Sequence, residues 1–375
     1  MAQTLHNTAR RVTRKGEPFY FFHAAGTDYE IGLTKGEQMA ADIIGAWEFF
    51  EPCMAEQFGT PVGRYQETYE WLRQNLETIA PWMVEQICGM AEGSGLAVDR
   101  AFLLNHYGVL WCASGLFCTS VAIGDTVEGP VLGQNLDIGD DDLYFVEELH
   151  PQNGFATLSD GMAGMCWSPT GINERGLAIG ASNLASPARQ GTRPITPGMP
   201  YHFLTRLVLR ECACVAEAVE YLAKLTPVIP PGGGYQLNLL DSAGNMAVVD
   251  KSEDRTVVRQ CEIGMNFTTN YSLDADLENW RTCGEATEVS FTARSENICS
   301  RYRSQNGKLS REWLIDILQS HADRGRLCCH GTDDVGGAYT RLSFIYCPSD
   351  GSAQISNGLP CVNKYQVFRI NHRGG

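Results

Sequence analysis

No stretch of this chain runs for the roughly 18 apolar residues that a bilayer-spanning helix needs, so no membrane span is expected. The opening segment, Met1 to Gly16, also lacks an apolar signal core, and the expected location is cytoplasmic. Positive charge is scarce. The 29 Lys and Arg stand against 44 Asp and Glu, and a formal net charge of -15 argues against nucleic acid and membrane as partners. The same balance suits a substrate with a cationic amine part. Internal repeats and low-complexity linkers are missing. The Pro230–Gly234 loop is rich in glycine but has neither the Lys nor the spacing of a phosphate cradle, and it reads as a turn. Charged residues make up 19% and hydrophobic residues 43%, a globular mixture that excludes disorder. The 375 residues could form one large domain or two ordinary ones.

Cysteine, by contrast, is abundant, with 14 in the chain. In a long chain of expected cytoplasmic location these read as reduced and mostly buried thiols rather than a disulfide framework. Cys212 and Cys214, and adjacent Cys328 and Cys329 beside His330, lack the C-x-x-C spacing of structural zinc sites. No metal and no other cofactor is expected.

Hydrophobic periodicity divides the chain. The Phe19–Phe22 run suits a strand. From Lys35 to about Cys112 the pattern is helical, with Tyr65, Tyr69, Leu72, Leu76 and Ile79 on one face and Asp99 as a candidate cap. Short β-type runs follow from Cys118 onward: Cys118–Ile123, Pro130–Ile138, Phe155–Leu158 and Leu177–Asn183. Two helical stretches, 199–210 and 214–225, interrupt them. Strands resume at 235–240, 246–250 and 256–259, and a further helix is expected over 310–320. The order lacks a βαβ rhythm and predicts antiparallel sheets covered by helices.

The stretch that carries chemistry is 117–142. Two strand-like runs flank a turn-rich segment, Asp125 to Gly129, and read as a hairpin in which Ile123 faces Leu132 and Cys118 falls opposite Asp137. Ser120 shares a face with Cys118. A thiol beside a carboxylate alone is a poor nucleophile, because the carboxylate raises its pKa. No histidine lies in this stretch to act as base. Scission of the Phe117–Cys118 bond solves the problem. It frees an α-amine of intrinsic pKa about 7.7–8.0 on the nucleophile's own residue, within reach of the thiol proton. Asp137 then orients that amine.

These residues resemble a known group. It comprises the choloylglycine (bile salt and penicillin V) hydrolases and, more closely, the autoproteolytic acyl-coenzyme A:isopenicillin N acyltransferase-like branch of cysteine N-terminal-nucleophile (Ntn) hydrolases. The resemblance rests on Gly26, Tyr29-Glu30-Ile31-Gly32 and Gly36, on Ala91-Glu92-Gly93-Ser94-Gly95-Leu96, on Cys118-Thr119-Ser120 and on Asn135-Leu136-Asp137. It continues through Gly171-Ile172-Asn173-Glu174, Gly176-Leu177-Ala178, Asn183, Thr269-Asn270, Ser300-Arg301-Tyr302 and Gly358-x-Pro360-Cys361.

The resemblance implies an α+β fold, a four-layer αββα Ntn-hydrolase sandwich with an N-terminal helical segment. It implies one domain over 1–375, cut into a 1–117 segment and a catalytic 118–375 segment that stay associated. Cys118 is implied as nucleophile with its amine as base, and Asp137 as the carboxylate that holds the amine. Asn183 and Asn270 are implied as oxyanion-hole donors, and Arg301 as a cation near the thiol. Ser120, Gln134 and Asn135 are expected to line the substrate pocket. Gln134 stands where bile salt hydrolases have arginine, and Phe117 where many relatives have glycine.

The activity implied is hydrolysis of a linear, non-peptide amide through an acyl-thioester, on a small-molecule substrate. The alternative is transfer of an acyl group, with acyl-coenzyme A or an amide as donor, to an amine. Two rivals stand outside this class. One is a Cys–His hydrolase using Cys166 or Cys329 with His321 or His330, and the other a binding protein that never matures. The oligomeric state, homo-oligomer or monomer, is left open.

Overall fold

The structure is a computed structural model that describes residues 3–4, 20–58, 62–112, 118–138, 144–184, 202–225, 234–251, 256–260, 264–273, 285–322, 324–331 and 338–371. Phe117, one side of the expected scission, lies outside these residues, as does most of the Pro230–Gly234 loop.

Among them the N-terminal part runs β1 (Gln3–Thr4), β2 (Tyr20–Gly26), α1 (Asp28–Gln38), α2 (Ala40–Phe58), α3 (Val62–Ile79), α4 (Pro81–Ser94) and α5 (Val98–Cys112). The first sheet-rich stretch is β3 (Thr119–Ile123), β4 (Val131–Ile138), β5 (Tyr144–Pro151), β6 (Thr157–Met162), β7 (Gly171–Asn173) and β8 (Ala178–Leu184). Then come α6 (His202–Glu211), α7 (Val215–Lys224), β9 (Gly234–Leu240), β10 (Met246–Lys251), β11 (Thr256–Gln260) and β12 (Met265–Thr268). The chain finishes with α8 (Glu285–Ser304), α9 (Arg311–Leu318), β13 (Tyr339–Cys347), β14 (Ser352–Asn357) and β15 (Gln366–Arg369). None of the described helices is long and apolar enough to cross a membrane.

Two sheets form the centre. One has the order β1-β2-β5-β6-β7-β8-β9-β10-β11, the other β12-β3-β4-β13-β14-β15. The ladders are antiparallel except where β2 joins β5 and β1 joins β2 in parallel. Strands β3 to β9 are buried along their whole length, which requires cover on both faces. One face is the other sheet: β3 packs on β8 and β9, and β12 on β9 and β10. Helices supply the outer cover. α6 and α7 lie on the first sheet, and α9 on β4 and β13 of the second. The layer order is αββα, as the resemblance implied. A second apolar cluster fills the space between the second sheet and the helices over it, with Val121, Ile123 and Val131 meeting Ile298, Leu314, Ile317 and Leu318. Burial of each such side chain stabilises the layer by about 1.5–3 kcal/mol.

The expected helical face of α3 is realised in Leu72 and Leu76, both fully buried. Asp99 sits inside the first turn of α5 rather than at its cap, because the helix already begins at Val98. Glycines of the quoted motifs have a packing role. α1 and α4 cross so closely that a Cβ on Gly32 would lie 2.0 Å from the Gln86 carbonyl oxygen, and one on Gly93 would lie 2.4 Å from that of Leu33.

The N-terminal part is bound into the rest by more than helix packing. The β2–β5 ladder runs from Phe21–Val146 to Gly26–Pro151. Asp28 takes both nitrogens of the Arg210 fork at 2.8 Å, and Lys35 meets Glu147 at 2.9 Å, all four buried. Removing one partner of such a pair leaves a buried charge uncompensated, at a cost of about 3–5 kcal/mol.

Candidate active site

The hairpin of β3 and β4 forms, in a register one residue from the expected one. Ile123 pairs with Val131 and Thr119 with Asn135. The connection is held by Thr126, whose hydroxyl bonds the Gly129 carbonyl, and by Val127 N–H donating to Leu309 O at 2.9 Å. Extending the ladder sets Cys118 level with Leu136, so Cys118 meets Asp137 on the diagonal. Asp137 still acts on the thiol after the shift, through both its backbone N–H and its carboxylate.

Cys118 is 2% exposed and belongs to the inter-sheet core. Burial pushes its thiol up to about 12, and the Asp137 carboxylate adds to the rise. The Asp137 N–H and the Arg294 guanidinium pull it down, and Asp160 pushes it up slightly. At neutral pH the thiol is then almost wholly protonated in the intact chain. No histidine is among the groups that act on it.

Arg294, on α8, is the hub of the site. One terminal nitrogen donates to Cys118 O at 3.2 Å and to Thr119 Oγ1 at 2.9 Å; the other donates to Thr269 O at 3.1 Å and Asn270 Oδ1 at 3.0 Å. Asn270 donates to Asn183 O at 2.8 Å. It has φ of +68°, a left-handed conformation that asparagine tolerates better than most residues. Cys118, Asn183 and Asn270 are thus gathered around one buried cation. Arg301, the arginine picked from sequence, is not there. Seven residues later, about two helical turns, it ends in a partly exposed ion pair with Asp316 at 2.7 Å. The helix face of Arg294 could have been found from the sequence only if α8 had been recognised as a helix.

Asp137 is fully buried and accepts from Thr340 Oγ1 at 2.6 Å. Thr340 is set by a bulge in β13 between Thr340 and Leu342, and its hydroxyl also accepts from Cys329 N–H at 2.8 Å. The three residues expected to line a pocket divide by strand alternation. Asn135 points to the helix side, where its amide holds Leu318 O and Leu327 O at 2.9 and 2.7 Å and its oxygen accepts from Ser343. It is a brace, and its place in the expected pocket lining is corrected accordingly. Ser120 and Gln134 point between the sheets, so tightly against Gly180 that a Cβ there would lie 2.2 Å from Ser120 Oγ. Asp160, unnoticed in the sequence, is buried and pushed up to about 7 by burial, against hydrogen bonds from Ser168 and Thr170 N–H.

The sequence profile of the family described as acyl-coenzyme A:6-aminopenicillanic acid acyl-transferase matches residues 125–358. The chain belongs to this family. The match contains Asp137, Asn183, Asn270 and Arg294 and begins past Cys118. Among relatives, the acyl-coenzyme A:6-aminopenicillanic-acid-acyltransferase 40 kDa form of Emericella nidulans is 27% identical over 203 residues, 52% of this chain and 54% of that protein. Penicillin V acylase of Pectobacterium atrosepticum is 27% identical over 199 residues, 45% of this chain and 53% of that protein. The chain spans about half the length of these relatives. A solved conjugated bile acid hydrolase variant from Clostridium perfringens superposes with a TM-score of 0.46 at 14% identity, covering 68% of this chain and 97% of that one.

In this member of the acyl-transferase family the residues of the cysteine–histidine rival are placed as follows. Cys166 faces Met90 Sδ at 4.0 Å, and burial pushes its thiol up to about 11. His330 lies against Cys328 and Cys361, and His321 against His330, while the Cys329 N–H bonds Thr340 of β13. The expectation of no metal rested on spacing along the chain. Folding defeats that argument, because it brings the ligand atoms of His321, Cys328, His330 and Cys361 within 4.8 Å of one another.

Proposed function

We propose that the protein is an autoproteolytically activated cysteine Ntn enzyme of acyl transfer, with hydrolysis of a linear amide as its reaction. The observation that carries this reading is a buried thiol pushed up to about 12, beside two carboxylates and one guanidinium and without a histidine. Such a thiol can rearrange once within its own chain but needs a base for turnover on substrate, and an α-amine on Cys118 is a base at a distance fixed by covalent bonds.

In maturation the Cys118 thiol adds to the Phe117 carbonyl carbon, and its proton passes to the departing Cys118 nitrogen. The Phe117–Cys118 peptide bond breaks, the acyl group moves to sulfur, and water then releases it as the Phe117 carboxylate. The 1–117 and 118–375 parts remain one domain through the β2–β5 ladder and the buried pairs.

In catalysis the α-amine takes the thiol proton, and the thiolate adds to the amide carbonyl of a small-molecule substrate. Asn183 and Asn270 side-chain N–H groups stabilise the oxyanion, each such donor being worth about 3–4 kcal/mol. The α-ammonium returns the proton to the departing amine, leaving a thioester that water hydrolyses. Asp137 holds the ammonium, and Arg294 fixes the Cys118 carbonyl. An amine in place of water turns the same thioester into a transferase intermediate, with an amide or acyl-coenzyme A as donor.

Mass spectrometry of the purified protein checks maturation. The expected products are 117 and 258 residues long (375 less 117), the longer beginning at Cys118. The Cys118→Ala chain stays whole and cleaves neither N-acyl amines nor β-lactam amides. An intact wild-type chain, with amide hydrolysis undiminished in Cys118→Ala, would falsify the reading.

A further inference from the structure

The strongest feature outside the candidate active site is the cluster of two histidines and two cysteines on the helix side of the second sheet. His321 follows α9, Cys328 and His330 lie in the loop before β13, and Cys361 lies in the turn between β14 and β15. His321 Nε2 and His330 Nε2 are 2.9 Å apart. Cys328 Sγ stands 3.7 Å from His330 Nε2 and 3.5 Å from Cys361 Sγ, and Cys361 Sγ is 3.5 Å from His330 Nε2. A tetrahedral zinc with two sulfur ligands at about 2.3 Å and two nitrogen ligands at about 2.0–2.1 Å has ligand–ligand edges of about 3.3–3.8 Å. Three of these four edges fall in that range, the fourth needs a few tenths of an ångström of opening, and the two from His321 to the sulfurs are within 4.8 Å. The donor set is borderline-soft, which favours zinc over calcium or magnesium.

We infer that His321, Cys328, His330 and Cys361 form a closed, four-ligand binding site for a divalent cation of the zinc class. On binding, the two thiols lose their protons to solvent and the two imidazoles bind as neutral rings. Two thiolates then balance the charge of the dication, and no oxidant or reductant takes part.

The surroundings are built for such a site. Gln319 Nε2 donates to Pro360 O at 2.8 Å, docking the end of α9 on the turn that carries Cys361. Leu327 and Cys328 N–H groups both donate to Ser320 O. His330 bridges to Tyr339, and Gly331 N–H donates to Ala338 O at 2.8 Å. The ligand loop is therefore held before any ion arrives, and preorganisation of this kind favours tight binding.

The site also has a functional address. Cys329 stands between two ligands, its N–H bonds Thr340 Oγ1, and Thr340 Oγ1 bonds the Asp137 carboxylate. An ion there would clamp the loop that carries Cys329, two hydrogen bonds from Asp137. The metal assignment itself is independent of the amide chemistry proposed above.

The test uses the full chain, purified without chelator and under argon. Elemental analysis is expected to give close to one zinc per chain. Exchange with cobalt(II) is expected to give thiolate-to-cobalt charge transfer and the intense d–d bands of a tetrahedral ion. Cys361→Ser is expected to lower cobalt affinity by about 100-fold or more, since even the loss of outer-shell partners costs 10–100-fold. If that variant does not fold, the wild-type cobalt spectrum decides alone. A Cys328–Cys361 disulfide in non-reducing peptide mapping overturns the proposal. So does the absence of thiolate-to-cobalt charge transfer, or its full persistence in Cys361→Ser.

Discussion

Cys118 and the Cys328–Cys361 pair sit on one sheet, and both are thiols among polar neighbours. Cys118 is sealed between sheets, with carboxylates that oppose ionisation and a single guanidinium that favours it. Cys361 is only partly buried, and its sulfur lies against a second sulfur and an imidazole. Burial pushes the Cys328 thiol up as well. Neither the Cys118 nor the Cys328 environment makes a thiolate by itself. What differs is the part proposed to complete each: at Cys118 a proton acceptor of fixed reach, at the pair a cation of fixed geometry. Sulfur chemistry is thus decided by which complement the surrounding groups have room and charge to receive.

The comparison breaks most completely at Asp137. Asp137→Asn is expected to lower kcat/KM by about 10³–10⁴-fold, as loss of an orienting carboxylate does elsewhere. It also shifts the amine limb of the pH profile to lower pH, because the ammonium loses its counter-charge. An unmoved limb would remove Asp137 from the amine.

The next test sets two arginines of α8 against each other. Arg294→Met is expected to cost about 10²–10³-fold in kcat/KM, the scale of one lost donor in a preorganised site. It also raises the pH midpoint for alkylation of Cys118 in the matured chain. Arg301→Met is expected to stay within about twofold, because its ion pair is partly exposed. Equal losses in both variants would put the Arg294 assignment aside.

The smallest effect is on stability. Asp160 is felt by Cys118 and is absent from the groups that act on Cys328. Its folded pKa of about 7 lies above the unfolded value of about 3.9, so the native state holds the extra proton. Stability from this group is whole below about pH 4 and is lost as pH rises to about 7, by roughly 2–4 kcal/mol. Urea midpoints measured across this window should fall more steeply for wild type than for Asp160→Asn. Parallel curves would mean that Asp160 titrates normally.

Much of this site could be read from the chain, and the failures have physical causes. The hairpin was visible in its alternating runs, and its register was not, because Thr126 and Val127 tie the connection to Gly129 and Leu309. β5 reads as polar, with Glu147, Glu148 and His150, yet it is buried, because Lys35, Arg206 and Asn371 complete its charges and hydrogen bonds. α8 has almost no amphipathic pattern to betray it; its inner face includes Arg294 and Ser295. The His–Cys cluster was hidden by the distance along the chain from Cys361 to its other members.

The parallel ladder between β2 and β5 carries one last consequence. While the polypeptide is whole, its two halves find each other through a tether, and renaturation is first order in protein. With the bond before Cys118 cut as proposed, the same docking would be an encounter between separate molecules, so recovery from denaturant would become second order and dilution would oppose it. Maturation would thus leave an enzyme whose persistence depends on how slowly the halves part, a kinetic inheritance from the folded precursor.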